Sequence, residues 1–386
     1  MVKMMTAFTT EIDDVDDAVS EILSQLDLSA LQKNSVGILT CHFEFIDSGL
    51  LGELHRRLPF DIIGMSTMAS ANPHGKDIYG LTLTVLTGDD VVFAAGSTGP
   101  LGADTFREQL AGTYNEAAAK LPGKPAMIIS FMPFVRELMG PVLSRTLAEI
   151  SGEIPVWGGI AFNANANYED CYVIYNDTNL ENALSMVLIY GEVQPEFVVV
   201  SIPEEHINKK KGVVTDSEGV ILRQVNDMPV LDYLSSIGIV VIKEVSTTTS
   251  FMVYYEGSSN PVALGVADVN DDGSLLCGGE IPVGSRISIA AISPKSILDS
   301  AAEGLQRVLQ YKDSHSGALM LPCGTRYVMS SPNNNDEVDF IAEVMAKNPG
   351  FEYSFGYSGG EICPVRDENG NYINRHHNYT FSACIL

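Results

Sequence analysis

The sequence has little positive charge and lacks the short signatures that mark many catalytic sites. Lys and Arg number 23 against 49 Asp and Glu, a net charge of −26. A field of that sign repels phosphate backbones and anionic headgroups, so neither nucleic acid nor a membrane is expected as a partner. Solubility is the simplest purpose of the acidity, and a salt-rich habitat would also produce it. No apolar run reaches the roughly 18 residues of a membrane span. The opening MVKMMTAFTTEIDD carries one Lys and turns acidic too early for a secretion signal, so a cytoplasmic location is expected. Six cysteines (Cys41, Cys171, Cys277, Cys323, Cys363 and Cys384) form no CxxC and no metal-ligand spacing. Reduced thiols suit that compartment, and neither a metal nor a cofactor is expected. There is no GxxxxGK[ST], no GxSxG and no HExxH. GSTGPLG (Gly96–Gly102) lacks the Lys and the strand-to-helix register of a phosphate loop, and reads as an ordinary loop. DVNDDG (Asp268–Gly273) begins like a calcium loop, but the twelfth position is Gly279 and Glu280 falls one late. Turn chemistry explains it better.

What is present is an apolar chain, 45% hydrophobic over 386 residues, enough for two globular domains. A boundary near EVQPEF (Glu192–Phe197) divides it into residues 1–195 and 196–386. The expected class is α+β or mixed α/β, each half a mixed β-sheet covered by helices, the halves possibly related by duplication. One order of elements recurs: strand, loop, helix, proline or near-proline, then a strand ending in small residues. It runs through Ser35–Cys41, Gly49–Leu58 and Phe60–Ser66. It returns in Ala126–Pro133, Pro141–Ser151 and Ile154–Phe162, and again in Gly317–Cys323, Asp336–Asn348 and Pro349–Glu361. Gly64–Met65–Ser66 and Gly356–Tyr357–Ser358 fall at one place in this unit, as do Cys41 and Cys323. An apolar strand follows the first and last copies, at Gly80–Leu86 and Asn378–Leu386. Duplication and the coincidence of common elements both account for this. Val15–Leu26 reads as an amphipathic helix with acids at its positive end. Gly219–Val225 and Gly238–Val245 read as strands, and Lys209–Lys211 as a solvated turn.

GFEYSFGYSGGEICP (Gly350–Pro364) is the stretch that asks for a function. Its glycines let the backbone approach a ligand and present N–H groups. Tyr357 offers a flat wall and a hydroxyl, Ser358 a second hydroxyl. Glu361 has no base near it in sequence, and a buried lone carboxylate is costly. Arg326, just past the strand holding Cys323, and the run His376–His377–Asn378 are the candidate partners. If the third unit closes on itself, Cys323, Arg326, Glu361 and Asn378 line one concave site. Equally, Glu361 and Arg326 could form an internal ion pair that fixes a turn, Asn378 could cap a loop, and Cys323 could be a small buried apolar residue.

DGSLLCGGEIPVGSRISIA (Asp272–Ala290), ALMLPCGTR (Ala318–Arg326), GYSGGEICP (Gly356–Pro364) and HNYT (His377–Thr380) together resemble the C-terminal domain of the FIST sensory proteins. DIIGMST (Asp61–Thr67), GLTLTVL, IPVWGGIAF and Tyr172–Gly191 resemble the N-terminal one more softly, since STMASANP (Ser66–Pro73) stands where relatives often carry Gly-Glu. The resemblance implies a module that binds a small molecule such as an amino acid, here as a stand-alone sensor acting through a downstream signalling protein. In that reading Arg326 holds a ligand carboxylate, Glu361 an ammonium, and N–H groups around Gly359 and Gly360 add contacts. The alternative is an enzyme with Cys323 as nucleophile, His377 as base, and Glu361 or Asn378 orienting it.

Overall fold

The computed structural model describes residues 2–135, 139–163, 170–243, 249–255, 261–330, 336–367 and 369–386. Mixed α/β structure is built three times over. The first unit is β1 (Lys3–Thr9), α1 (Val15–Gln25), β2 (Asn34–Cys41), α2 (Glu44–Asp47), α3 (Leu50–Arg57), β3 (Ile62–Ser66), a hairpin β4 (Ser70–Asn72) and β5 (Gly75–Asp77), and β6 (Leu81–Gly88). The second repeats the order with β7 (Val91–Ser97), α4 (Phe106–Ala119), β8 (Met127–Met132), α5 (Met139–Ser151), β9 (Val156–Ile160), the hairpin β10 (Val173–Tyr175) and β11 (Thr178–Leu180), and β12 (Ser185–Gly191).

The third unit starts at β13 (Glu196–Val200) and is interrupted by an inserted module. That module holds β14 (Gly212–Glu218), β15 (Ile221–Val225), β16 (Met228–Pro229), α6 (Val230–Ser236), β17 (Ser250–Tyr254), β18 (Val262–Val269), β19 (Leu275–Cys277) and β20 (Arg286–Ala290). The unit resumes with α7 (Pro294–Val308), β21 (Gly317–Met320), α8 (Gly324–Met329), α9 (Asp336–Ala346), β22 (Glu352–Gly356), the hairpin β23 (Glu361–Arg366) and β24 (Tyr372–His377), and β25 (Phe381–Ile385). The inserted strands run in the order β14-β20-β17-β18-β19-β15, and β15 pairs back to β14. The sheet thus closes into a small barrel with few free edges.

Local chemistry explains the helices. Asp14 caps α1 by accepting from the N–H groups of Asp16 and Asp17, and the helix buries Ala18, Val19 and Ile22 on one face. Ser293 and Ser296 form a reciprocal cap at the start of α7, with Pro294 where a missing N–H costs nothing.

The sheets exchange hairpins in a ring. Their orders are β1-β6-β2-β3-β10-β11, β7-β12-β8-β9-β23-β24 and β13-β25-β21-β22-β4-β5. Each unit supplies the first four strands of its own sheet and a hairpin to another: the first unit to the third sheet, the second to the first, the third to the second. Hydrogen-bonded sheets therefore run across residues 195 and 196. One apolar cluster includes Val36, Ile63, Ile129, Trp157, Leu319 and Cys384, drawn from all three sheets. Separate clusters on the opposite faces pack α1 to α3, α4 with α5, and α7 with α9. The three sheets surround one shared interior and carry their helices outward.

Backbone register corrects the alignment of the repeats by one residue. The N–H of Thr67 donates to Cys41 O, that of Ala161 to Met132 O, and that of Ser358 to Pro322 O. Ser66 is therefore equivalent to Ile160 and Tyr357, and Cys41 to Pro322 rather than to Cys323. A one-residue slip exchanges the faces of a strand: Cys41 packs against the outer helices, whereas Cys323 points inward. The expected strand at Gly238–Val245 is not formed over 238–243, which leaves α6 as irregular chain with Val240 and Ile242 exposed; its end lies outside the described residues. The stretch Asp268–Gly273 makes a turn at Asn270–Gly273, as expected, its first two residues ending β18: Asp272 accepts from the N–H and hydroxyl of Ser274, and Gly273 has φ +81°.

The close contact of parallel strands sets a test. A Cβ on Gly64 would stand 2.1 Å from Leu39 O, and one on Gly158 1.8 Å from Ser130 O. Gly64→Ala and Gly158→Ala should each lower the denaturation midpoint by several kcal/mol equivalent, because backbone must move. Gly52→Ala and Gly112→Ala, in α3 and α4 with nothing near, should gain about 0.5–1 kcal/mol each. Urea unfolding of the four variants checks both signs.

Candidate functional site

The shared interior is apolar at one end and polar at the other. Along β2 the inward residues are Val36, Ile38 and Thr40; along β6 they are Leu86, Thr84 and Thr82; along β25 they are Leu386, Cys384, Ser382 and Thr380. The polar end lies where the parallel strands β3, β9 and β22 finish, the usual place for ligands in α/β folds. There the units interlock: Phe162 N–H donates to Ser66 O, Gly359 N–H to Ile160 O, and the Thr67 hydroxyl to Tyr357 O.

Register identifies four equivalent positions at this end. In the third unit they are Cys323, Ser358, Glu361 and Thr380. In the first they are His42, Thr67, Ser70 and Gly80, and in the second Pro133, Ala161, Val173 and Ala183. The second copy is apolar, the first half polar, and only the third carries an acid.

Glu361 is fully buried and has no cation within ion-pairing distance among the described residues. Thr380 donates to Oε2 from its hydroxyl at 2.6 Å and from its N–H at 3.3 Å, and Ser358 Oγ lies 3.1 Å from Oε1. The Cys323 thiol stands beside the carboxyl and interacts with it electrostatically. Burial pushes the Glu361 carboxyl up to about 8, the hydrogen bonds only partly opposing it. Near neutral pH the group is a neutral acid. Burial, and then the neighbouring carboxyl, pushes the Cys323 thiol up to about 12, far from a thiolate.

Arg326 lies on the other face of the third sheet, because the chain turns into α8 directly after Cys323. Sequence reasoning offered Arg326, or the run His376–His377–Asn378, as the partner of Glu361. The structure pairs it with Glu337, Nη2 to Oε1 at 2.5 Å and Nε to Oε1 at 3.0 Å. Nη1 donates to Ser300 Oγ and Tyr379 O, and Nη2 also to Ile297 O. All five N–H groups are taken, so none is left for a ligand carboxylate. The Tyr357 hydroxyl donates to Glu337 Oε2 at 3.0 Å, and burial raises its pKa well above the usual phenol value.

One peptide group joins the two clusters. The carbonyl of Tyr379 accepts from Arg326 Nη1 at 3.1 Å, and the N–H on the far side of the same peptide bond, that of Thr380, donates to Glu361. Tyr379 adopts φ +59°, a left-handed conformation costing on the order of 1 kcal/mol for a non-glycine residue.

The remaining expected residues form the surroundings. Gly359 and Gly360 spend backbone groups on Ile160, Gly359 N–H donating to its carbonyl and Ile160 N–H donating to Gly360 O. His377 Nε2 stands 3.0 Å from Cys363 O, not against Cys323, and burial lowers the imidazole to about 4. Asn378 ties the third unit to the inserted barrel: its N–H donates to Ala263 O and its Oδ1 accepts from Gly265 N–H. Thr380 and Glu337 were not singled out from sequence. Thr380 had a signal, two residues beyond Asn378 on the entrance to a strand; Glu337 had none. None of the six cysteines is in a disulfide.

Two predictions follow from burial. Glu337→Gln leaves Arg326 charged in a dry site and should cost about 3–5 kcal/mol in urea unfolding, whereas a double replacement by apolar residues of similar volume should cost less. Glu361 binds its proton more tightly folded than unfolded, where its value is about 4.3. Its contribution to stability is full below that pH and lost as pH rises to about 8. Glu361→Gln should therefore flatten the fall in stability across this window and be the more stable form above it, by a few kcal/mol at most.

Residues 35–228 match the FIST N domain and residues 231–364 the FIST C domain. No curated protein matches the chain. Among solved structures, a cyanuric acid hydrolase from A. caulinodans aligns over 100% of this chain and 98% of its own at 11% identity and a TM-score of 0.36, a likeness too loose to bear on mechanism. None of the described helices is long and apolar enough to cross a membrane. The chain belongs to the FIST family, whose domains are proposed small-ligand sensors in signalling.

Proposed function

We propose that this protein senses a small amine-bearing molecule of the amino-acid class at Glu361 and reports its presence through a partner protein in the cytoplasm. The observation that carries this reading is a fully buried carboxyl with no counter-cation among the described residues. Such a group costs stability without providing any that an apolar residue would not, and an uncompensated acid at the strand ends is what a ligand ammonium needs. Ser358 and the Cys323 thiol flank the ammonium, while Thr380 holds the far oxygen.

In this reading access is through the seam where the hairpin β23–β24 meets β9: Glu361 faces Gly159 and Ile362 faces Gly158, two positions without side chains to pack, while Asn374 fastens the other end, its Oδ1 accepting from Val156 N–H and its Nδ2 donating to Ile154 O. Opening there separates Gly359 and Gly360 from Ile160. When the ammonium arrives, Glu361 gives up its proton and becomes a carboxylate. The new charge draws the Thr380 N–H harder and polarises the Tyr379–Thr380 peptide toward Arg326. The strained peptide and the Arg326–Glu337–Tyr357 cluster then carry the change to α7, α8 and α9 on the outer surface, where a partner can read it. The thiol reading, with Cys323 attacking and His377 as base, has no observation in its favour: burial and the neighbouring carboxyl hold the thiol protonated, and the imidazole is bound to a backbone carbonyl.

Calorimetry with amino acids and simple amines, in buffers of different ionisation enthalpy, tests the proposal. Binding should release close to one proton near neutral pH and almost none well above the Glu361 value. Glu361→Gln should weaken it at least about tenfold, the scale of a lost charged hydrogen bond. Tight binding that survives this substitution, or that moves no proton, would sink the reading.

A further inference from the structure

A second site lies outside this cluster. A cleft of about 740 Å³ opens between the edge strands β13 and β24, roofed by the inserted barrel. That volume suits a small organic ligand. Its arginines are not all paired with carboxylates, as most of the described arginines elsewhere are. Eight arginines pair with carboxylates within 4.0 Å: Arg56, Arg57, Arg107, Arg145, Arg223, Arg307, Arg326 and Arg366. The described arginines that do not are Arg286 and Arg375. Both stand against the adjacent rings of Tyr254 and Tyr255, Arg286 at 5.9 Å from the first and Arg375 at 5.4 Å from the second. Lys211, also without a carboxylate partner among the described residues, lies 3.9 Å over Tyr254. In a chain of net charge −26, Lys211 and Arg375 line this cleft without a carboxylate partner within 4.0 Å among the described residues.

The acids of the cleft wall are engaged elsewhere or exposed. Glu303 is taken by Arg307, and Arg366 is held by Glu196. Asp367 is ionised but turned to the N–H groups of Asn369 and Asn371 in its own turn, and Glu204 is exposed to solvent. Cation–π contact holds the cations in place but leaves their outward N–H groups unsatisfied by an acceptor of opposite charge.

The geometry points to this cleft as a binding site for a small organic anion carrying a carboxylate or phosphate group, gripped by Arg375 and Lys211 beside the Tyr254 and Tyr255 rings. Such a ligand neutralises both cations, and it bridges the inserted barrel, which carries Lys211 and the tyrosines, to the third unit, which carries Arg375. It would fix the angle between these two parts. The site is independent of the Glu361 reading, although His377 forms part of both surroundings.

The test is calorimetric titration of the whole chain with benzoate, succinate and inorganic phosphate at low ionic strength. At least one should bind, more weakly as salt is added, and Arg375→Gln and Lys211→Ala should each reduce affinity about tenfold, the loss of one charge-assisted contact. A preference for phosphate or for the carboxylates decides the anion's class. Glu361→Gln should bind the probes as the parent chain does, which separates this site from the amine site. Lys211 is exposed, so Lys211→Ala decides the matter if Arg375→Gln does not fold. Absence of binding by all three probes, or affinity unchanged in the variants that fold, would show that the cations only brace the joint and would overturn the assignment.

Discussion

Each sheet of this molecule lacks an edge until another unit supplies a hairpin, and everything else follows from that exchange. A four-stranded sheet with helices on one face leaves its other face and one edge open. The hairpins β4–β5, β10–β11 and β23–β24 close those edges in a ring. Once closed, the three inner faces have nowhere to go but against one another, and the inner residues must pack as one core. A defect in any hairpin is therefore felt in two units, and the units are not independent folding pieces.

The ring also decides where chemistry can sit. Strand ends at one end of the interior bring backbone groups of neighbouring units together around Ser66, Ile160 and Tyr357. Polar side chains are tolerated there because hydroxyls can satisfy one another, as Thr40 and Thr82 do at 2.7 Å. In the second unit the equivalent positions are apolar and contribute only packing. In the third they include a carboxyl that nothing neutralises. Arg326 is close enough to influence it through one peptide group, yet is sealed on the far side of the sheet by Glu337. A cation and an acid that could have paired directly are kept apart by the sheet, and the inner carboxyl remains available.

Much of this was legible in the sequence, and the missing part has physical reasons. The recurring strand–helix–strand order was visible because apolar periodicity and proline punctuation are local properties. Of the expected convergence of Cys323, Arg326, Glu361 and Asn378, only Cys323 and Glu361 come together, and that much was readable from strands that end in small residues. The alignment of Cys41 with Cys323 was one residue out because identity of residue type competes with register, and only the ladder fixes register. The partner of Arg326 could not be found, since Glu337 sits among other acids at the start of α9 and nothing local distinguishes it. Nor could the hairpin exchange be read, since a three-residue strand such as Ser70–Asn72 carries no record of the sheet it joins. The cleft was hidden for the same reason: Lys211 reads as part of a solvated basic turn until Tyr254 is placed beneath it.

The central claim is that Glu361 is a neutral acid in the resting protein, held uncharged so that a ligand can ionise it. Infrared difference spectroscopy of the carboxyl stretch, comparing the parent chain with Glu361→Gln, reads this directly. A protonated-carboxyl band near neutral pH that disappears as pH is raised through about 8, and that the Gln form lacks at every pH, is the result expected. A band difference showing an ionised carboxylate already present near neutral pH would contradict the account.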